Sequence, residues 1–132
     1  MGHIHQKVRL RAEKAATVRM LVDTGATFSV IPPDVAEALG IKKPRRSVSV
    51  RLADGRRVRL GAEVAILQVN GRQAPATILV GKVDEPILGV EALEVLGLMV
   101  DPRRKRLAPS RPYAVRLGGY RRSTPRRART YK

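Results

Sequence analysis

One acidic residue, Asp23, stands at a position where the sequence could support chemistry. It follows the apolar residues 20–22 and opens the tripeptide D-T-G. A carboxylate next to apolar residues loses solvation, which disfavours its charged form, so Asp23 is a candidate for proton transfer. Gly25 allows a tight turn that a residue with a Cβ atom would resist, and the Thr24 hydroxyl can bond across it. The same letters also fit an ordinary turn that is capped by its own side chain.

The elements around Asp23 are predicted mainly from alternating apolar and polar residues, which indicate half-buried strands. The alternation predicts a strand that ends at Asp23, and the pairs Asp54-Gly55 and Asn70-Gly71 predict the turns of two separate hairpins. Further strands are predicted at residues 7–11, 28–31 and 98–100, and short helices at residues 33–39 and 91–96. The sequence therefore predicts an all-β fold with one or two short helices.

Two stretches carry a family resemblance. The string M-L-V-D-T-G-A-T-F-S-V-I-P-P-D-V-A-E-A-L-G, at residues 20–40, resembles the retropepsin-like aspartic proteases, the single-lobed relatives of the retroviral proteases. The string P-I-L-G-V-E-A-L-E-V-L-G-L, at residues 86–98, is similar to the second signature of that family, which precedes its C-terminal helix. Two signatures separated by a hairpin-rich region are far more specific than either one alone.

The resemblance implies a homodimeric acid-protease barrel, with residues 1–108 as the protease domain. It implies that Asp23 is catalytic and that Thr24 and Gly25 support it, the Thr24 hydroxyl by bonding to the partner chain. By their places in the family pattern, the residues that would contact substrate are Ala26, Thr27, Asp54, Gly55, Arg56, Leu88 and Gly89. Of these, Asp54, Gly55 and Arg56 resemble the tip of the flap that closes over bound peptide, although the sequence fits a simple surface hairpin equally well.

By resemblance, the reaction is peptide-bond hydrolysis by a water molecule that two carboxylates activate. The chain of 132 residues holds only one D-T-G and is too short for two lobes, so the second carboxylate would come from another copy. Like charges at close range cannot both ionise, so the pair would share one proton. The alternative is a non-catalytic dimerisation or binding module of the same fold, docked on nucleic acid or ribosomes by its basic C-terminal tail.

Composition limits the other classes of function. Cysteine is absent, and His3 and His5 are the only histidines, so no metal site is predicted, and the family resemblance implies that no cofactor is needed. No apolar run resembles a signal peptide or approaches the length of a membrane span, so we expect a cytoplasmic protein without a membrane partner.

The net charge of +16 is unevenly distributed along the chain. Residues 1–101 hold 15 basic and 11 acidic residues, giving +4, whereas residues 102–132 hold 12 basic residues and no acid, giving +12. Residues 109–132 are predicted to be a disordered basic tail, because they have little apolar surface to bury. Its arginines and tyrosines suit nucleic acid, and a solvated tail that aids solubility is the alternative. The candidate nucleic-acid contacts in the tail are Arg121, Arg122, Arg126, Arg127 and Arg129.

Overall fold

A computed structural model describes residues 3–112, and this part of the chain forms nine strands and two short helices. The strands are β1 (His5–Arg11), β2 (Ala15–Val22), β3 (Ser29–Ile31), β4 (Arg46–Arg51), β5 (Arg57–Val69), β6 (Arg72–Val80), β7 (Ile87–Leu88), β8 (Leu98–Asp101) and β9 (Arg106–Pro109). The helices are α1 (Pro33–Ala38) and α2 (Val90–Leu96). The predicted all-β class with two short helices is confirmed.

Seven strands form one sheet that closes on itself. Their order is β1-β2-β7-β3-β6-β5-β4, and β1 also pairs with β5 through Leu10 and Leu67. The ring therefore consists of the strands from β1 to β5 in this order, and β4 lies outside it, paired only with β5. Strand β7 lies between β2, to which it is parallel, and β3, to which it is antiparallel. This ring-like sheet confirms the predicted barrel.

Strand β5 differs from the sequence prediction, which placed two separate hairpins at residues 48–60 and 64–80. It is one continuous strand of 13 residues that pairs with β4 through its first half and with β6 from Gly61 onward. The prediction ended the first hairpin at Leu60 and began the second at Val64, so it left residues 61–63 outside both. Instead, Gly61 allows a close approach, since a Cβ atom there would lie 2.5 Å from Pro44 Cγ.

The core lies inside the ring and under α2. The alternation predicted for β1 and β2 is confirmed, because Val8, Leu10 and Met20 have no exposed surface. Their fully buried neighbours include Ile31, Leu39, Leu67, Ile78, Leu88 and Leu96. Each such side chain contributes about 1.5–3 kcal/mol to folding through burial, so this cluster fixes the strands that carry the candidate site. No helix in residues 3–112 is long and apolar enough to cross a membrane.

The C-terminal strands pack beside α2, which ends at Gly97 in a left-handed conformation (φ 69°). The Ser110 N–H donates to the Gly97 carbonyl at 2.8 Å, and the Arg111 guanidinium donates to the Glu94 carbonyl at 2.7 Å. These contacts involve residues that the sequence prediction gave to the tail, and the domain division itself stays a prediction. The five candidate tail arginines lie outside the described residues.

Candidate active site

Asp23 occupies the first position after β2, where the backbone is held from both sides. The Asp23 N–H donates to the Leu88 carbonyl at 3.0 Å, which continues the pairing of β2 with β7. On the other side, the Val22 N–H donates to the Ile4 carbonyl at 2.8 Å. The last residues of β2 therefore have partners on both edges, and the Cα position of Asp23 is fixed by strands rather than by a free loop.

The Asp23 carboxylate is oriented by the turn that follows it. Its Oδ1 atom accepts a hydrogen bond from the Gly25 N–H at 2.8 Å, and the Asp23 carbonyl accepts one from the Ala26 N–H at 3.2 Å. The side chain is half-buried, and its Oδ2 atom accepts no hydrogen bond from the described residues. One oxygen is thus held by the backbone while the other is available to a water molecule or a second chain.

The structure shows why a residue with a Cβ atom would be resisted at position 25. Gly25 does not have a positive φ, so the turn itself does not require a glycine. A Cβ atom there would, however, lie 3.2 Å from Asp23 Oδ1, which is a tight contact. The glycine is therefore favoured because the carboxylate folds back over it. The predicted bond of the Thr24 hydroxyl across the turn is also absent from the described residues, and Thr24 is exposed.

Residues 89–91, at the start of α2, hold the Asp23 loop (residues 23–28) through backbone contacts. The Val90 N–H donates to the Ala26 carbonyl at 2.8 Å, and the Glu91 N–H donates to the Thr27 carbonyl at 2.9 Å. At Gly89 the two backbones nearly touch, because a Cβ atom there would lie 2.6 Å from the carbonyl carbon and oxygen of Phe28. The start of α2 and the Asp23 loop are therefore fixed to each other by backbone contacts.

Ser29 is a supporting residue that the sequence analysis missed. It is the one buried polar residue in the described part of the chain, and its Oγ atom accepts a hydrogen bond from the Gly89 N–H at 3.1 Å. Buried polar groups in proteins are almost always hydrogen-bonded. The serine inside the apolar run F-S-V-I could therefore have indicated a supporting hydrogen bond, because a buried hydroxyl there needs a partner.

The projecting hairpin (residues 46–60) consists of β4, the start of β5 and the turn between them. The turn is closed by two backbone bonds: the Leu52 N–H donates to the Arg56 carbonyl at 2.7 Å, and the Gly55 N–H donates to the Leu52 carbonyl at 2.9 Å. Gly55 has a φ of 90°, in the left-handed region that favours glycine, which confirms the predicted turn.

Asp54 organises the same turn through Arg56. Its Oδ1 atom accepts from the Arg56 N–H at 2.9 Å, and its Oδ2 atom accepts from the Arg56 Nε at 2.7 Å. The backbone bond and, after it, the side-chain bond favour the charged carboxylate, so the pKa of Asp54 lies below its ordinary value of 3.8. Both side chains are exposed, so the pair shapes the turn more than it stabilises the fold.

Comparison with known families decides what this arrangement is. Residues 8–95 match the sequence model of the family described as gag-polyprotein putative aspartyl protease. The chain belongs to this family. The matched residues include the Asp23 loop, the projecting hairpin and Gly89, and the resemblance drawn from the sequence is confirmed. A comparison with curated protein sequences gives no match.

In this aspartyl protease relative, the structure assembles the predicted site residues only in part. Asp23, Ala26, Thr27 and Gly89 are neighbours, joined by the backbone contacts above. The side chain of Leu88 is fully buried, so its carbonyl and not its side chain meets the Asp23 loop. The hairpin tip with Asp54, Gly55 and Arg56 makes no hydrogen bond with that loop in the described residues, so their roles toward substrate stay predictions.

The described part of this aspartyl protease relative has no cluster of three or more His, Cys, Asp or Glu residues that could hold a metal ion.

His5 pairs with Glu85 at 2.8 Å, between β1 and the segment that leads into β7. This pair therefore joins the two strands that flank β2 near Asp23.

Proposed function

We propose that the protein is an aspartic endopeptidase whose active site forms when two copies bring their Asp23 carboxylates together. The observation that carries this proposal is the state of Asp23: its backbone is fixed, one oxygen is held by Gly25, and the other is available. The acids that border the supporting segment 86–90 already have partners, because Glu85 pairs with His5 at 2.8 Å and Glu91 accepts from the Thr77 N–H at 2.9 Å. A carboxylate pair therefore requires another chain.

In the proposed dimer the two carboxylates share one proton, because both cannot stay charged at close range. The charged carboxyl takes a proton from a water molecule, which attacks the carbonyl carbon of the peptide bond. The protonated carboxyl donates to the carbonyl oxygen, and the resulting intermediate breaks down when a proton reaches the leaving nitrogen. Neither a covalent enzyme intermediate nor a cofactor takes part.

Substrate would lie as an extended strand between the Asp23 loop and the projecting hairpin, which would act as a flap. The hairpin suits this role because from Leu60 to its tip it pairs only within itself, and β4 lies outside the ring. Its half-buried face, formed by Val48, Val50, Val58 and Leu60, would supply apolar contacts. Backbone hydrogen bonds to an added strand would supply affinity that depends little on sequence.

The substitution Asp23→Asn tests the proposal, with an unstructured polypeptide as substrate. The amide keeps the shape and still accepts from the Gly25 N–H, but it cannot take a proton from water, so we expect cleavage to vanish while the fold survives. Thermal melting and sedimentation of both proteins are the controls, and each should sediment at twice the chain mass of 14.5 kDa.

Two results would contradict the proposal. Cleavage by the Asp23→Asn protein at the wild-type rate would leave Asp23 a turn residue only. A monomer whose specific activity does not fall on dilution would show that one carboxylate suffices, because a dimer-borne site must be lost as the protomers separate.

A further inference from the structure

Most of the net positive charge of the described residues lies in one segment. Residues 42–60 hold eight basic residues and one acid, a net charge of +7, whereas the other described residues, 3–41 and 61–112, together hold 12 basic and ten acidic residues, a net charge of +2. The basic residues of the segment are Lys42, Lys43, Arg45, Arg46, Arg51, Arg56, Arg57 and Arg59, and all are exposed. Residues 42–60, which contain the projecting hairpin, therefore carry most of the net charge of +9 of the described residues.

The hairpin has two faces that differ in chemistry. Val48 pairs with Leu60 and Val50 pairs with Val58 on one face, and all four are half-buried. This face points to the barrel, since the Leu60 side chain lies 3.1 Å from where a Cβ atom of Gly81 would be. The outer face points away from the barrel and consists of the exposed side chains of Ser47, Ser49, Arg51, Arg57 and Arg59.

The arginines of the outer face repel one another and have little to offset that repulsion. Arg51 and Arg57 lie directly opposite across the hairpin, and like charges in such pairs are destabilising. Arg59 donates to the Ser47 hydroxyl at 2.7 Å, and no carboxylate lies within 4.0 Å of any of the three within residues 3–112. A bound anion would offset this repulsion.

The composition of the outer face favours nucleic acid over protein as the source of that anion. Interfaces with proteins usually have an apolar core, whereas interfaces with nucleic acid are more polar and much more positive. The outer face has only serine and arginine, both of which donate to phosphate oxygens. It has no aromatic side chain on which an unpaired base could stack, which favours a duplex over a single strand.

We propose that the outer face of the projecting hairpin binds the phosphate backbone of a nucleic-acid duplex without reading its bases. This site lies in the folded domain and is separate from the predicted tail contacts. It also does not depend on protease activity, because the outer face points away from the barrel and from the face proposed to meet the peptide.

The test measures the affinity of the full-length protein for a fluorescently labelled short duplex over a range of salt concentrations. The triple variant R51Q/R57Q/R59Q should bind about tenfold or more weakly at low salt, and its plot of log affinity against log salt should be less steep by about 2–3. The tail is intact in both proteins, so its contribution cancels in the comparison.

The matched control is R9Q/R11Q/R19Q, which removes the same charge from exposed arginines of β1 and β2. We expect a clearly smaller loss of affinity, and an equal loss would overturn the proposal because net charge alone would explain binding. Competition by polyglutamate as effective as that by unlabelled duplex would also overturn it. Amide NMR shifts of the wild-type protein give an independent readout, and duplex-induced shifts that leave residues 47–59 unchanged would contradict the site.

Discussion

The Asp23 loop and the projecting hairpin face the same proposed substrate but are held in opposite ways. The loop is bound by the backbones of β7 and the start of α2, and a buried serine supports it from below. From Leu60 to its tip the hairpin forms backbone pairs only within itself. Two backbone hydrogen bonds and one exposed ion pair hold the tip. The contrast indicates that more of the fold holds the acid than holds the hairpin, so the two regions should respond differently to similar substitutions.

The largest expected effect comes from adding one methyl group to the support of the loop. In Gly89→Ala the new Cβ would lie 2.6 Å from backbone atoms of Phe28 and 2.9 Å from the Ala26 carbonyl oxygen, so the two backbones must separate. We expect the free energy of unfolding to fall by about 3 kcal/mol, measured by urea denaturation.

The matched change in the hairpin is Gly55→Ala, where no heavy atom lies within 4 Å of the added Cβ. Only the positive φ of 90° opposes it, so we expect a loss of about 1 kcal/mol. Equal losses in the two proteins would show that the loop is not held more tightly than the hairpin.

A smaller effect is expected from removing a hydroxyl group. Ser29→Ala would leave the buried Gly89 N–H without an acceptor, which should cost about 1–3 kcal/mol. Ser47→Ala removes an exposed hydroxyl from the hairpin and should change stability by less than about 0.5 kcal/mol. Denaturation of both variants measures the difference, and an unaffected Ser29→Ala protein would mean that Gly89 finds another partner.

The smallest effect concerns the hairpin tip and depends on pH. Because folding lowers the pKa of Asp54, its charged form stabilises the tip above the ordinary value of 3.8, and this contribution is lost as pH falls through the lowered pKa. An NMR titration of the Arg56 amide proton should therefore show a midpoint below 3.8. Asp54→Asn should remove the transition, and a wild-type midpoint at or above 3.8 would contradict the closed tip.

The sequence predicted the features that depend on neighbouring residues. Alternation located most of the strands, Asp54-Gly55 located a turn, and the two short helices begin and end within one residue of their predicted bounds. The features it missed depend on residues far apart in the chain. Nothing local shows that β5 continues through Gly61 or that Ser29 accepts from Gly89, because both follow from which strands meet in the barrel. The turn at Gly25 was predicted, but the tight contact that a Cβ atom there would make with Asp23 Oδ1 was not, since the direction of the Asp23 side chain has no local signal.

The placement of β7 between β2 and β3 has a consequence for the order in which the protein assembles. Asp23 is synthesised before Leu88, whose carbonyl holds the Asp23 backbone and which belongs to the last strand of the ring along the chain. Contacts between such distant segments form slowly, because a long loop must close before they stabilise anything. A nascent chain that ends before β7 therefore carries the acid without its support, and the completed domain is the first species in which Asp23 has its final geometry.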